Sequence, residues 1–194
     1  MDKKKHREKE ILNKIYQDEE YSIIPDERPD FLLCEKDGVD KFGVEITELY
    51  ISQERAKHFN KHMQLEKSVN LSVENEFLKV YTRLPNTSSW VLFSVEEVSS
   101  DIPGFEEYKN KIIQIIEDKT RKSLNYYEDL VYLELVIEDC ERYFKYADVR
   151  FFKLLSNDYN LQKAITASAF KRVYILSEYN DQELLMVLEG HEDE

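Results

Sequence analysis

The chain is expected to fold as a single α/β domain over residues 1–194, with a central mixed β-sheet flanked by helices. Three observations predict this. Segments with helical periodicity alternate along the chain with short apolar runs of strand length, which is the pattern of a sheet covered by helices. The run Leu130 to Ile137 is apolar almost throughout, as a central strand covered on both faces would be, with Glu134 as its exception. The 194 residues, 42% hydrophobic and 12% aromatic, suffice for one sizeable core, and no internal repeat, low-complexity segment or linker divides them.

Taken in order, residues 3–17 place Glu8, Ile11, Leu12, Ile15 and Tyr16 on one helical face. Residues 18–27 are acidic and end in a Pro25-Asp26 turn signal, with Tyr21 to Ile24 as a short strand. Two adjacent strands follow, Phe31-Leu32-Leu33 and Phe42 to Thr47, joined through Asp37-Gly38. Pro29 is tolerable at a strand start or edge, which puts Asp30 at the mouth of the first strand. Alternation in the second sends Val44 and Ile46 to one face and Glu45 and Thr47 to the other, so the apolar pair faces a core and the polar pair a cleft. Glu48 falls on the face opposite Thr47, as a surface acid.

Residues 52–80 are expected to form a long helix capped by Ser52 with Glu54 just inside. Trp90 to Val95 is a buried strand after the Pro85 to Ser89 loop, and Trp90 is expected in the core. After Pro103-Gly104, residues 105–123 are an amphipathic helix with Tyr108, Ile112, Ile115, Ile116 and Lys119 recurring at helical spacing. Residues 148–169 are helical, broken near Ser156-Asn157-Asp158, and 172–176 form another strand. Residues 182–188 fit an edge strand or a helix equally well.

The formal net charge of -13 opposes attraction to a polyanion. The distribution is uneven, since Lys3, Lys4, Lys5, Arg7, Lys9 and Lys14 cluster at the start, where they form a solvated helix face or a local patch able to touch phosphate. The start is charged and lacks an apolar signal region, and no apolar run approaches the roughly 20 residues of a membrane span, so a cytoplasmic protein with no membrane partner is expected. The two cysteines, Cys34 and Cys140, form no CxxC pair and are expected as reduced core thiols.

Four glycines leave little material for phosphate-cradling loops, and GxGxxG, GxxxxGK[ST], GxSxG and HExxH are all missing. Neither cysteine has a helix-start context that would make it a nucleophile. His58 and His62, with Glu54 and Glu66, form a helical stripe that could clamp a transition metal, though such stripes are commonly solvated faces. Tyr126, Tyr127, Tyr143 and Tyr146 could stack bases, and are more simply the cover of a sheet.

The remaining constellation is Asp30 with Glu45. Two carboxylates brought together by adjacent strands raise each other's pKa unless a cation lies between them, and a hard divalent ion suits all-oxygen ligands. The Ile46 carbonyl, between two cleft-facing side chains, offers a further oxygen. The bland alternative is that Asp30 caps a turn and Glu45 is a surface residue.

Pro29-Asp30 followed by Glu45-Ile46-Thr47 in the next strand resembles the PD-(D/E)XK nuclease superfamily over roughly residues 8–60. The resemblance implies a restriction-endonuclease-like core and metal-dependent phosphodiester hydrolysis of DNA or RNA, in a bacterial or phage defence setting. It implies Mg²⁺ or Mn²⁺ on Asp30 and Glu45, to which the Ile46 carbonyl could add, with Glu8 on the first helix as an outer ligand. The family's lysine two residues after the glutamate is Thr47 here. Thr47 can bond a metal-bound water but carries no charge, so Lys57 or Lys61 from the following helix is expected to supply it. Without such a lysine the chain would be a catalytically degenerate interaction module. Nucleic acid is the expected partner despite the acidic charge, with a second copy or a basic protein to help hold it.

Overall fold

The computed structural model describes residues 3–36, 38–51, 69–74, 77–83, 90–97, 104–126, 130–140, 150–179 and 182–190. Their order is α1 (Lys3–Leu12), β1 (Tyr21–Pro25), β2 (Phe31–Glu35), β3 (Lys41–Leu49), β4 (Val69–Glu74), β5 (Phe77–Arg83), β6 (Trp90–Glu97), α2 (Phe105–Ser123), β7 (Leu133–Asp139), α3 (Arg150–Ser156), α4 (Tyr159–Thr166), β8 (Phe170–Tyr179) and β9 (Gln182–Glu189). Two compact units result, one of residues 1–49 and 104–194, the other of residues 50–103.

The larger unit is a mixed sheet in the order β1-β2-β3-β7-β8-β9. β1, β2 and β3 form an antiparallel meander, β7 lies parallel to β3 and to β8, and β9 returns antiparallel to β8. β7 is thus interior to the sheet, as its apolar run predicts, and residues 182–189 resolve as the edge strand rather than a helix. The smaller unit contains an antiparallel sheet, β4-β5-β6.

The expected helix over 52–80 is not what forms at its C-terminal end, where 69–74 and 77–83 are strands. Val69, Leu71 and Val73 alternate with polar residues at a period of two, and Phe77 to Arg83 is rich in β-branched and aromatic residues. That local preference decides the conformation. Residues 52–68, with Glu54, Lys57, His58, Lys61, His62 and Glu66, lie outside the described residues. So do Tyr127, Tyr143 and Tyr146.

α1 packs on one face of the large sheet. Ile11, Leu12 and Tyr16 join Phe31 and Leu33 of β2, Phe42, Val44 and Ile46 of β3, Val136 of β7, and Tyr174 and Leu176 of β8. The helix ends at Leu12, and a turn carries Tyr16 down so that its ring meets those of Tyr21, Phe42 and Tyr174 at 5.3–6.1 Å. Its hydroxyl donates to the Glu134 carboxylate, the one acid inside the apolar run, which Arg172 Nη1 also reaches at 3.4 Å. Burial holds the Glu134 carboxyl above its ordinary range, with Arg172 pulling the other way.

The opposite face carries α2 and α4, which pack on each other and against β3, β8 and β9. α2 buries Tyr108, Lys109, Ile112 and Ile116 along one stripe. Lys109, 4% exposed, reaches Asp158 at 2.9 Å, and Asp158 caps α4 by accepting from the Leu161 amide at 3.0 Å. The break expected near Ser156-Asn157-Asp158 is this cap. Cys34 and Cys140 are half-buried free thiols rather than core residues. No helix among the described residues is long and apolar enough to cross a membrane.

Gly43 fixes where β2 begins. A Cβ there would fall 2.5 Å from Pro29 Cγ and 2.6 Å from Leu133 Cδ2, so glycine lets Pro29, and Asp30 after it, lie against β3. Gly43→Ala is expected to destabilise the fold by about 1–3 kcal/mol through overpacking, read as a lowered urea midpoint; an unchanged midpoint would reject the close approach.

The raised Glu134 pKa also sets a pH dependence. In a carboxyl whose folded value lies above its unfolded value of about 4.3, ionisation costs stability, and the cost accrues as pH rises through that window. Glu134→Gln should therefore gain stability relative to the parent between about pH 4 and pH 7, measured by urea unfolding at both ends. A constant difference across that range would rule out the effect.

Candidate metal centre

Asp30 stands at the residue before β2, held there by the Asp26 amide, which donates to the Asp30 carbonyl at 2.9 Å. Across the β2–β3 pairing, the Ile46 amide donates to Asp30 Oδ2 at 2.9 Å. The aspartate is therefore fastened to the backbone beside Glu45, and both carboxylates are buried, at 9% and 7% exposure. Alternation along β3 puts Val44 and Ile46 in the α1 core, while Glu45 meets residues of α2 and the turn after it.

Three residues absent from the expected set complete the group. Lys119 of α2 places Nζ 2.6 Å from Glu45 Oε1 and 3.5 Å from the Ile46 carbonyl oxygen. Tyr126, in the turn that follows α2, donates its hydroxyl to Glu45 Oε2 at 2.8 Å. Burial pushes the Tyr126 hydroxyl well above its usual pKa, and the charges of Glu45 and Asp30 add to this, so the tyrosine remains a donor at neutral pH. Lys5 of α1 places Nζ 3.1 Å from Asp30 Oδ1 and 3.2 Å from Glu8 Oε2. Burial disfavours its charge, but the hydrogen bond and charge of Asp30, with those of Glu8, leave its pKa above the usual value.

Of the residues expected from sequence, Asp30, Glu45 and Ile46 come together, and Glu8, 6% exposed, joins through Lys5. Thr47 is half-buried two residues beyond Glu45. Lys57 and Lys61 belong to the stretch not described. Lys119 carried a readable signal, since it sits on the helical stripe of Tyr108, Ile112 and Ile116, where a lysine needs an acid partner. Lys5 lies one turn before the buried Glu8, at a spacing that brings the two side chains together.

The donor set fits a hard divalent cation. Two carboxylates and a carbonyl offer oxygen alone, and ammonium groups already rest on these same atoms, so the position favours positive charge.

A second acidic group lies on the α1 face of the sheet. Glu48, Glu138 and Cys140 bring one ligand atom each within 4.8 Å of one another, a cluster that could hold a metal ion. Arg7 fills it, with Nη1 2.6 Å from Glu48 and Nη2 2.7 Å from Glu138. Burial raises the Glu138 carboxyl, and Arg7 works against that shift.

No family model, curated protein or solved structure matches the chain.

Lys119→Met would leave Glu45 with Tyr126 as its side-chain partner among the described residues, and should cost about 2 kcal/mol, less than for a fully buried pair because Lys119 is 16% exposed. Adding Glu45→Gln should recover part of that loss, giving a coupling of about 1–3 kcal/mol in a double-mutant cycle. Additive losses in urea unfolding would show that the pair is not coupled.

Proposed function

We propose that the chain is a metal-dependent endonuclease-like hydrolase of the PD-(D/E)XK type, with a restriction-endonuclease-like core. The observation that carries the proposal is a lysine ammonium resting on two of the expected ligand atoms, Glu45 Oε1 and the Ile46 carbonyl oxygen, beside an aspartate tied to the same backbone. Lysine is the residue that sequence puts in question, because position 47 is threonine. Lys119 offers the missing charge from α2 rather than from β3, and takes the role in place of Lys57 or Lys61.

Asp30, Glu45 and the Ile46 carbonyl would hold Mg²⁺ or Mn²⁺, with Glu8 reaching this group through Lys5. The bound ion would polarise a phosphoryl oxygen and lower the pKa of a coordinated water. The chain's own residues do the positioning. Asp30 is pinned by the Ile46 amide, Tyr126 fixes the rotamer of Glu45 from its far oxygen, and Lys119 brings a positive charge to where an attacking water or a phosphate oxygen would lie. Tyr126 is a positioning residue, since it acts through Glu45. Thr47 is left as a hydrogen-bonding assistant.

The net charge of -13 favours a second reading, an interaction module on a degenerate nuclease scaffold that binds without cutting. Incubation of plasmid DNA and of single-stranded RNA with Mg²⁺ or Mn²⁺ separates the two. The proposal expects cleavage that EDTA stops, that Asp30→Ala and Glu45→Ala abolish, and that Lys119→Met lowers by about a hundredfold or more. Cleavage unchanged in Asp30→Ala and Glu45→Ala sinks the assignment, and no cleavage of either polymer by the parent leaves the module.

A further inference from the structure

Lys5 has no place in the expected ligand set, yet it is among the most constrained lysines of the large unit. Its Nζ lies 3.1 Å from Asp30 Oδ1, 3.2 Å from the Asp30 carbonyl oxygen and 3.2 Å from Glu8 Oε2. The stem is largely buried, with the side chain 17% exposed and Nζ 5.2 Å from the centre of the Phe31 ring. Phe31 itself is fully buried in the α1 core, so the lysine is pinned by a residue that cannot yield easily. Glu8 Oε2 is buried and faces the Lys5 ammonium at 3.2 Å. The other Glu8 oxygen is met by Lys4, whose side chain is 75% exposed.

We propose that Lys5 is a built-in counter-ion that closes the Glu8 side of the site, so that the centre takes a single divalent cation on Asp30, Glu45 and the Ile46 carbonyl, and Glu8 anchors Lys5 instead of binding the ion. The inference rests on the metal reading of Asp30 and Glu45. The ammonium already stands between the Glu8 and Asp30 carboxylates, where a second ion bridging them would have to sit. Displacing it would drive a buried lysine stem out from beside Phe31 and leave the charge without a partner, a cost that a solvated surface lysine would not incur. Lys119 differs, because it lies on the ligand atoms of the first ion and can swing aside from Glu45 without leaving a second carboxylate uncompensated. One tethered cation is thus structural and the other exchangeable.

Calorimetric titration of the metal-free protein with Mn²⁺ alone tests this. One ion per chain is expected in the parent, with affinity changed less than about threefold by Glu8→Gln and weakened about tenfold or more by Glu45→Gln. Lys5→Met should admit a second Mn²⁺, or tighten binding about tenfold, and Glu8→Gln added to it should remove that gain. Lys5→Arg keeps the charge and should retain the one-ion stoichiometry, which covers the case that Lys5→Met does not fold. Two ions in the parent, a Glu8→Gln loss equal to that of Glu45→Gln, or Lys5→Met binding like the parent would each overturn the role of Lys5 while leaving the metal reading intact. No Mn²⁺ binding by the parent would overturn the metal reading, and the inference with it.

Discussion

Glu8, Asp30 and Glu45 are each more than nine-tenths buried at the junction of α1, β2, β3 and α2, and burying three carboxyl groups together is costly unless cations and hydrogen bonds meet them. The fold meets that constraint from both sides of the sheet. Lys5 comes from α1 and Lys119 from α2, so the two helices that cover opposite faces are also tied to one acidic group. The placement of Asp30 depends in turn on Gly43, which lets Pro29 lie close against β3, and on the Ile46 amide, which donates to its Oδ2. Sheet pairing, helix docking and site electrostatics are in this sense one arrangement.

Such an arrangement is poor value as a source of stability. Replacing a buried ion pair by well-packed apolar residues is often neutral or stabilising, because desolvation offsets the Coulombic gain. Apolar side chains are plentiful nearby: Phe31, Val44 and Ile46 occupy neighbouring positions of the same strands. Lys5, Glu8, Asp30, Glu45 and Lys119 nonetheless gather beside them, in keeping with the proposed metal centre.

Much of this was legible in the chain. The limits of α2, the short β1, the interior β7 and the break near Asp158 follow from clear periodicities and from the turn-forming run Ser156-Asn157-Asp158, while the capping role of Asp158 is seen only in the structure. Asp30, Glu45 and Ile46 follow from period-two alternation and from the constraint proline places on a strand. What was not legible had different causes. Val69 to Val80, taken as the end of the helix expected over 52–80, reads as helix when the charged and polar residues are taken as a solvated face, although its alternation favours strands. Lys119 and Tyr126 meet Glu45 across sequence separations of 74 and 81 residues, and no local pattern encodes such a meeting. A lysine on an apolar helical stripe announces only that an acid must await it, not which one.

The contrast between the two acidic groups of the large unit bears on which of them can work. At Glu48, Glu138 and Cys140 the charge is met by Arg7, a planar guanidinium whose separate nitrogens reach two carboxylates at once. Such a cation is always protonated and geometrically matched to its partners, so an incoming metal would have to break two directed bonds together. At Glu45 the charge is met by one ammonium on a flexible stem, a point charge that rotates away at smaller cost. The carbonyl of Ile46 is reached only at 3.5 Å, so the ammonium satisfies that oxygen weakly. An acidic cluster closed by arginine is therefore suited to holding α1 against β3 and β7. A cluster closed by Lys119, with all-oxygen donors and a tyrosine steadying the glutamate from behind, is the better placed of the two to exchange its cation, as the proposed metal-dependent hydrolysis would require.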